Sequence, residues 1–301
     1  MKKIALLLIM TIALYASIIE TYIPERAKVY LPLVLTEMNL YLPEFKEPYY
    51  IGSLIEQESC VALKGKGYWA RRCWSPISEL KTDREQGVGF GQITRAWKKN
   101  GSIRFDTLRH LKKKYPKELK ELNWDNIKKK PELQIRAMVL LWRDNYLYFK
   151  KDLPEETKIA LANSMYNGGL KYLLRERKEC GLRKDCDATK WFGNIELVKS
   201  ARAKRKLYGN RSAWDINRDH SKKIILIRGP KYREWFIKYS ELNKPITNDK
   251  VKAKVKTKVP TKLEVIDVND SIAQLDKNAS VMKTPDDIIE RGLLYILRFF
   301  I

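Results

Sequence analysis

Two glutamates, two residues apart, are the first residues in this chain whose placement could do chemistry. In the segment YIGSLIEQESC, residues 50–60, a helix would put Ile51, Leu54, Ile55 and Glu58 on one stripe, at i, i+3, i+4 and i+7. Glu56 would fall about 140° around from Ile51 by the 3.6-residue period. The two carboxyls are therefore expected to meet different surroundings, with Glu58 on the apolar side. Burial disfavours the charged form of a carboxyl, so such a group can hold a proton near neutral pH and pass it to a departing oxygen. Glycosidic cleavage needs such an acid. A salt-bridged structural glutamate is the plainer reading, and this segment alone does not decide.

Two further segments carry chemistry. QGVGFGQIT, residues 86–94, has glycine at every second position from 87 to 91, which allows close backbone approach and leaves a groove wall free of side chains. The spacing of a phosphate-binding loop is absent. ALANSMYNGGL, residues 160–170, is an apolar helix that ends in Tyr166-Asn167-Gly168-Gly169, where a phenol and an amide stand at the opening of a loop. By itself this is an ordinary helix end with a buried tyrosine.

In this order, QES, then GxGFGQIT, then YNGG, the chain resembles the soluble lytic transglycosylases, a family related to goose-type lysozymes. The first motif matches Gln57-Glu58-Ser59, the second Gly89-Phe90-Gly91-Gln92, and the third Tyr166 to Gly169. KTDREQGVGFGQITRAW, GSIRFDTL, RAMVLLWRDNY and WFGNIE are similar to a subgroup carried by phages and prophages. The resemblance covers roughly residues 48–240. It implies a mostly α, lysozyme-like helical domain with a long substrate cleft, acting as a monomer on peptidoglycan glycan strands without a cofactor or metal. Glu58 would protonate the bond between N-acetylmuramic acid and N-acetylglucosamine. It would then act as base on the muramoyl C6 hydroxyl and give a 1,6-anhydro product. Ser59, Gly89, Phe90, Gln92, Tyr166 and Asn167 would bind or orient the sugar. Many members have Leu-Met at the positions of Phe90-Gly91, so the shape of the sugar subsite is expected to differ.

Several elements must position these residues. Pro131 to Phe149 reads as a helix with Leu133, Ala137, Leu140 and Leu141 on one stripe. Another begins at Pro154, has Glu155 and Glu156 in its first turn, carries Ile159, Ala162, Met165 and Tyr166 on one face, and stops at Gly168-Gly169. Residues 1–19 form a basic start and an uncharged run of about 24 Å as a helix, the form of a signal peptide or a signal anchor. Residues 20–47, with prolines at 24, 32 and 43, read as a connector. The lysozyme-like domain is expected over 48–240, a lysine-rich linker over 241–283, and an apolar amphipathic helix over 284–301. That last helix would either dock on the domain or contact a membrane or partner.

The remaining composition bears on location and partners. Sixty basic against 36 acidic residues give a formal net charge of +24, which attracts polyanions: acidic wall polymers, anionic lipid or nucleic acid. With no nucleic-acid motif and an export signal, no specific nucleic-acid partner is expected. Export would place the protein in the periplasm, or on the inner membrane facing it, in a setting such as phage lysis. Four cysteines in an exported chain read as two short-loop disulfides by proximity, Cys60 with Cys73 and Cys180 with Cys186. Zinc is the rival reading, but metal-ligand spacing is missing and two histidines are few for a metal site. Two other functions stay open. A hydrolase on the same fold would use Asp83 or Glu85 to activate water. An inactive lysozyme-like scaffold would serve as a basic wall-binding or nucleic-acid-binding protein.

Overall fold

The first helix, α1 (Glu25–Tyr41), forms where a connector is expected. Its prolines mask a helical stripe: Ala27, Tyr30, Leu31, Val34 and Met38 all bury their side chains. Pro32 removes one helical hydrogen bond and crowds the preceding turn. Burial of each large apolar side chain offsets that by about 1.5–3 kcal/mol, so packing overrides the local preference. Glu37, itself buried, accepts both arms of the Arg136 guanidinium at 2.9 Å and ties α1 to the helix behind it. The computed structural model describes residues 23–62, 71–149, 152–208 and 210–242. The segments 1–19 and 284–301, and nearly all of the linker expected over 241–283, lie outside these residues.

Helix α2 (Tyr49–Ser59) follows and buries Ile51, Leu54 and Ile55. Short strands β1 (Val61–Ala62) and β2 (Arg71–Arg72) pair next to the disulfide Cys60–Cys73. An antiparallel sheet of four strands then runs in chain order: β3 (Glu79–Lys81), β4 (Glu85–Val88), β5 (Ile93–Trp97) and β6 (Ile103–Asp106). The turn Gly89–Gln92 joins β4 to β5. Asp106 caps helix α3 (Thr107–Lys114) by accepting from the Arg109 N–H.

Helix α4 (Pro131–Leu147) divides the interior. Ile135, Met138, Val139 and Trp142 belong to the larger core with α1, α2 and the later helices. Leu133, Ala137 and Leu140 face a smaller core beneath the sheet, with Val88, Ile93, Leu108 and Leu111. A helix apolar on nearly all sides belongs in the middle of a fold. Leu141, expected on the stripe, is only partly buried.

Helix α5 (Glu155–Gly168) ends at Gly169, whose φ of 73° suits glycine. Helix α6 (Leu170–Gly181) leads to the second disulfide, Cys180–Cys186. Strands β7 (Lys206–Tyr208) and β8 (Arg211–Ser212) precede α7 (Ala213–Lys222), which opens with a capping box between Ser212 and Asp215. A π-helical stretch, Lys223–Arg228, carries the chain into α8 (Gly229–Leu242). The described residues are mostly helical with a small sheet, and none of their helices is long and apolar enough to cross a membrane.

Phe90 lies inside the larger core with no exposed surface, edge-on to Tyr30 at 4.7 Å between ring centres. Phe90→Ala is expected to cost about 3–5 kcal/mol in denaturant unfolding. A loss under about 1 kcal/mol would show that the ring does not hold the turn to the core.

Candidate active site

Glu58 stands on the last turn of α2, with its side chain 15% exposed. Its Oε1 lies 2.6 Å from Nε2 of His220, a buried residue of α7. Tyr166, near the end of α5, is close enough for the Glu58 charge to act on it. Burial first, and that carboxylate second, push the Tyr166 phenol well above its ordinary range. The phenol donates to the Gly91 carbonyl at 2.7 Å. Residues from the three separated segments therefore meet in one place.

Two glycines make this meeting possible. A Cβ on Gly91 would stand 2.5 Å from Tyr166 Oη and 2.7 Å from Met138 Cγ. A Cβ on Gly89, whose φ is 81°, would fall 1.9 Å from Gln134 Oε1, which accepts from the Phe90 N–H at 3.1 Å. The non-glycine residues with positive φ among the described residues, Trp74 at 54° and Gln92 at 46°, belong to this neighbourhood too. Backbone held in this region costs on the order of 1–3 kcal/mol per residue and collects at functional sites.

Of the residues expected to touch sugar, Phe90, Ser59 and Gly89 have structural tasks, while Gln92 and Asn167 keep exposed surface. Phe90 packs in the core as described, so its ring is turned away from any cleft. Ser59 has no exposed surface. Its hydroxyl donates to the Ile55 carbonyl at 2.6 Å and accepts from the Trp74 N–H at 2.8 Å, while its carbonyl accepts from Ser78 Oγ at 2.9 Å. It is a strut under Glu58. Gly89 shapes the turn. Gln92 is partly exposed; its Nε2 donates to the Gly89 carbonyl at 3.0 Å, and its Oε1 has no partner among the described residues. Asn167 accepts from Asn217 at 3.3 Å. Asn217 in turn bonds Ser164, Arg202 and Arg218, and both arginines pair with fully buried Glu176.

The contrast between the two glutamates also needs correcting. Glu56 is more enclosed than Glu58, not less. Lys231 at 2.7 Å, Arg228 at 3.3 Å and the Tyr232 hydroxyl surround it, and that hydroxyl accepts from Trp74 Nε1. Partners, rather than burial, separate them: Glu56 is tied up by cations, whereas Glu58 has an imidazole on one oxygen and a partly open side. Asp83 is exposed on the β3–β4 connection, and Glu85 lies 3.7 Å from Arg104. Both stand at the end of β4 away from the Gly89–Gln92 turn, about 13 Å along the strand from Glu85 to Gly89. Among the described residues, neither makes a hydrogen bond or an ion pair with Glu58 or Tyr166.

His220 is the residue that sequence reasoning missed, because 162 residues separate it from Glu58. A signal did exist. Asn217, His220, Ser221 and Ile224 sit at i, i+3, i+4 and i+7 and are all buried, so polar side chains occupy a core stripe. Among the described residues no group of three histidine, cysteine or acidic side chains could hold a metal. The fold and site define a mostly helical protein in which a partly open carboxylate pairs with a buried imidazole, beside a tyrosine bonded to a glycine-rich turn. Comparison with protein-family models, with curated proteins and with solved structures gives no match.

The state of Tyr166 is directly testable. Its phenol is expected to stay protonated where ordinary tyrosines ionise, near pH 10. An ultraviolet titration should therefore count the same number of ionising phenols in the wild type and in Tyr166→Phe. The unfolded chain releases this proton first, so the phenol's contribution makes stability fall as pH rises past about 10. Loss of one phenol from the titration in Tyr166→Phe would contradict the burial.

Proposed function

We propose that this protein cleaves the glycan strands of bacterial peptidoglycan as a lytic transglycosylase, with Glu58 as acid and then base. One observation carries the reading. Glu58, Gly91 and Tyr166 come from the three segments that resemble this family, and they converge on one partly open carboxyl. In this reading a lysozyme-like cleft runs past Glu58. The acid protonates the oxygen between N-acetylmuramic acid and N-acetylglucosamine, and the substrate's own acetamido group stabilises the oxocarbenium-like centre. A second carboxyl is then unnecessary. The position of Asp83 and Glu85 at the far end of β4 favours this route over activation of water.

Tyr166 spends its proton on the Gly91 carbonyl, so its oxygen is left to accept from substrate. Asn167, which is exposed, and the partly exposed Gln92 are the remaining sugar-facing candidates. The setting proposed is the cell envelope, reached by export, with phage lysis as one use. The net charge of +24 would hold the enzyme on anionic wall polymers.

Glu58→Gln is expected to lower lysis of purified sacculi by about 10²–10⁴-fold while sacculus binding persists. Retained lysis would remove Glu58 from its role. Sacculus binding by the wild type should weaken as salt rises and the screening length shrinks from about 10 Å at 0.1 M to about 3 Å at 1 M. Binding that ignores salt would exclude the charge as the cause.

A further inference from the structure

We propose that His220 is a positioning residue that pins one oxygen of Glu58 and thereby assigns the transferred proton to the other. The inference rests on the reading of Glu58 as the proton-transfer group. His220 is itself held firmly. Ser221 Oγ donates to the Ala160 carbonyl at 3.3 Å, and Asn217 bonds both the hydroxyl and the carbonyl of Ser164, so α7 is fastened to α5 on either side of the histidine. The imidazole is buried, with Nε2 2.6 Å from Glu58 Oε1 and Nδ1 without a partner among the described residues.

That asymmetry selects a tautomer. A buried N–H with no acceptor is costlier than a buried lone pair with no donor. The ring therefore carries its proton on Nε2 and donates to Oε1, leaving Nδ1 as a bare acceptor. The same bond serves both states of the glutamate. When Glu58 is ionised, Oε1 accepts as a carboxylate oxygen; when it is protonated, Oε1 accepts as the carbonyl and the proton sits on Oε2.

The cleavage then balances on Oε2 alone. Its proton passes to the glycosidic oxygen, and the bond from muramoyl C1 to that oxygen breaks with the electron pair leaving on oxygen. The C6 hydroxyl then bonds to C1, and its proton returns to Oε2. Freed of His220, the carboxyl could turn either oxygen to the substrate, and the productive geometry would be only one of several. A misplacement of about 1 Å can cost on the order of 10²-fold in rate.

The test compares the wild type with His220→Leu, which removes the donor, and His220→Gln, whose side-chain amide restores one. On purified sacculi, His220→Leu should lose about 100-fold in kcat with little change in KM. His220→Gln should recover most of that loss, since a structural defect from changing ring to chain would not be repaired by an amide. Independently of activity, nitrogen NMR of the wild-type ring should report a proton on Nε2, the nitrogen that faces Glu58. A ring whose Nε2 carries no proton would overturn the inference whether or not the variants fold. So would wild-type kcat in His220→Leu when Glu58→Gln is inactive. A wild type without action on sacculi would instead reject the transglycosylase reading, and the proton on Nε2 would still decide whether His220 donates to Glu58.

Discussion

The 2.7 Å hydrogen bond from Tyr166 to the Gly91 carbonyl closes the site. It joins the end of a helix from the larger core to the turn of a sheet that rests on the smaller one. Its geometry tolerates no Cβ at Gly91, and its burial keeps the phenol protonated and therefore able to donate.

Beneath the site lies a second layer of polar contacts. Glu176, fully buried, takes Arg202 and Arg218, and both reach Asn217 on α7. Asn217 then reaches Ser164 and Asn167 on α5. Breaking one partner of such a cluster leaves an uncompensated buried charge, at a cost of about 3–5 kcal/mol. The cluster thus fixes the spacing between the two helices that supply Tyr166 and His220. On the other side of α2, Glu56 performs a comparable task with Lys231 and Arg228, fastening α8 to the helix that carries Glu58.

Much of the helical frame was legible. The Pro131 and Pro154 starts and the Gly168-Gly169 stop agree with α4 and α5 to within a residue or two, because caps and period act locally. Helix α1 was not legible, since its prolines speak for a connector and only tertiary burial outweighs them. In the site, order along the chain brought Glu58, Gly91 and Tyr166 together, but the burial argument for Glu58 over Glu56 failed. Two positions on a helix of 11 residues can both be enclosed when helices pack on several sides. Phe90 and Ser59 could not be told from sugar contacts by type, because a buried ring and a saturated hydroxyl look the same in sequence as exposed ones. His220 could be flagged locally as part of a polar stripe on a core face, but its partner Glu58, 162 residues away, could not be read from any local pattern.

The most direct test of the central claim is a digest of purified sacculi in water enriched in heavy oxygen, with the products weighed by mass spectrometry. If Glu58 returns the muramoyl C6 hydroxyl to C1, the new ends are 1,6-anhydro sugars that carry no heavy oxygen. Reducing muramic acid ends bearing one heavy oxygen would mean that water completes the cleavage, and would contradict it.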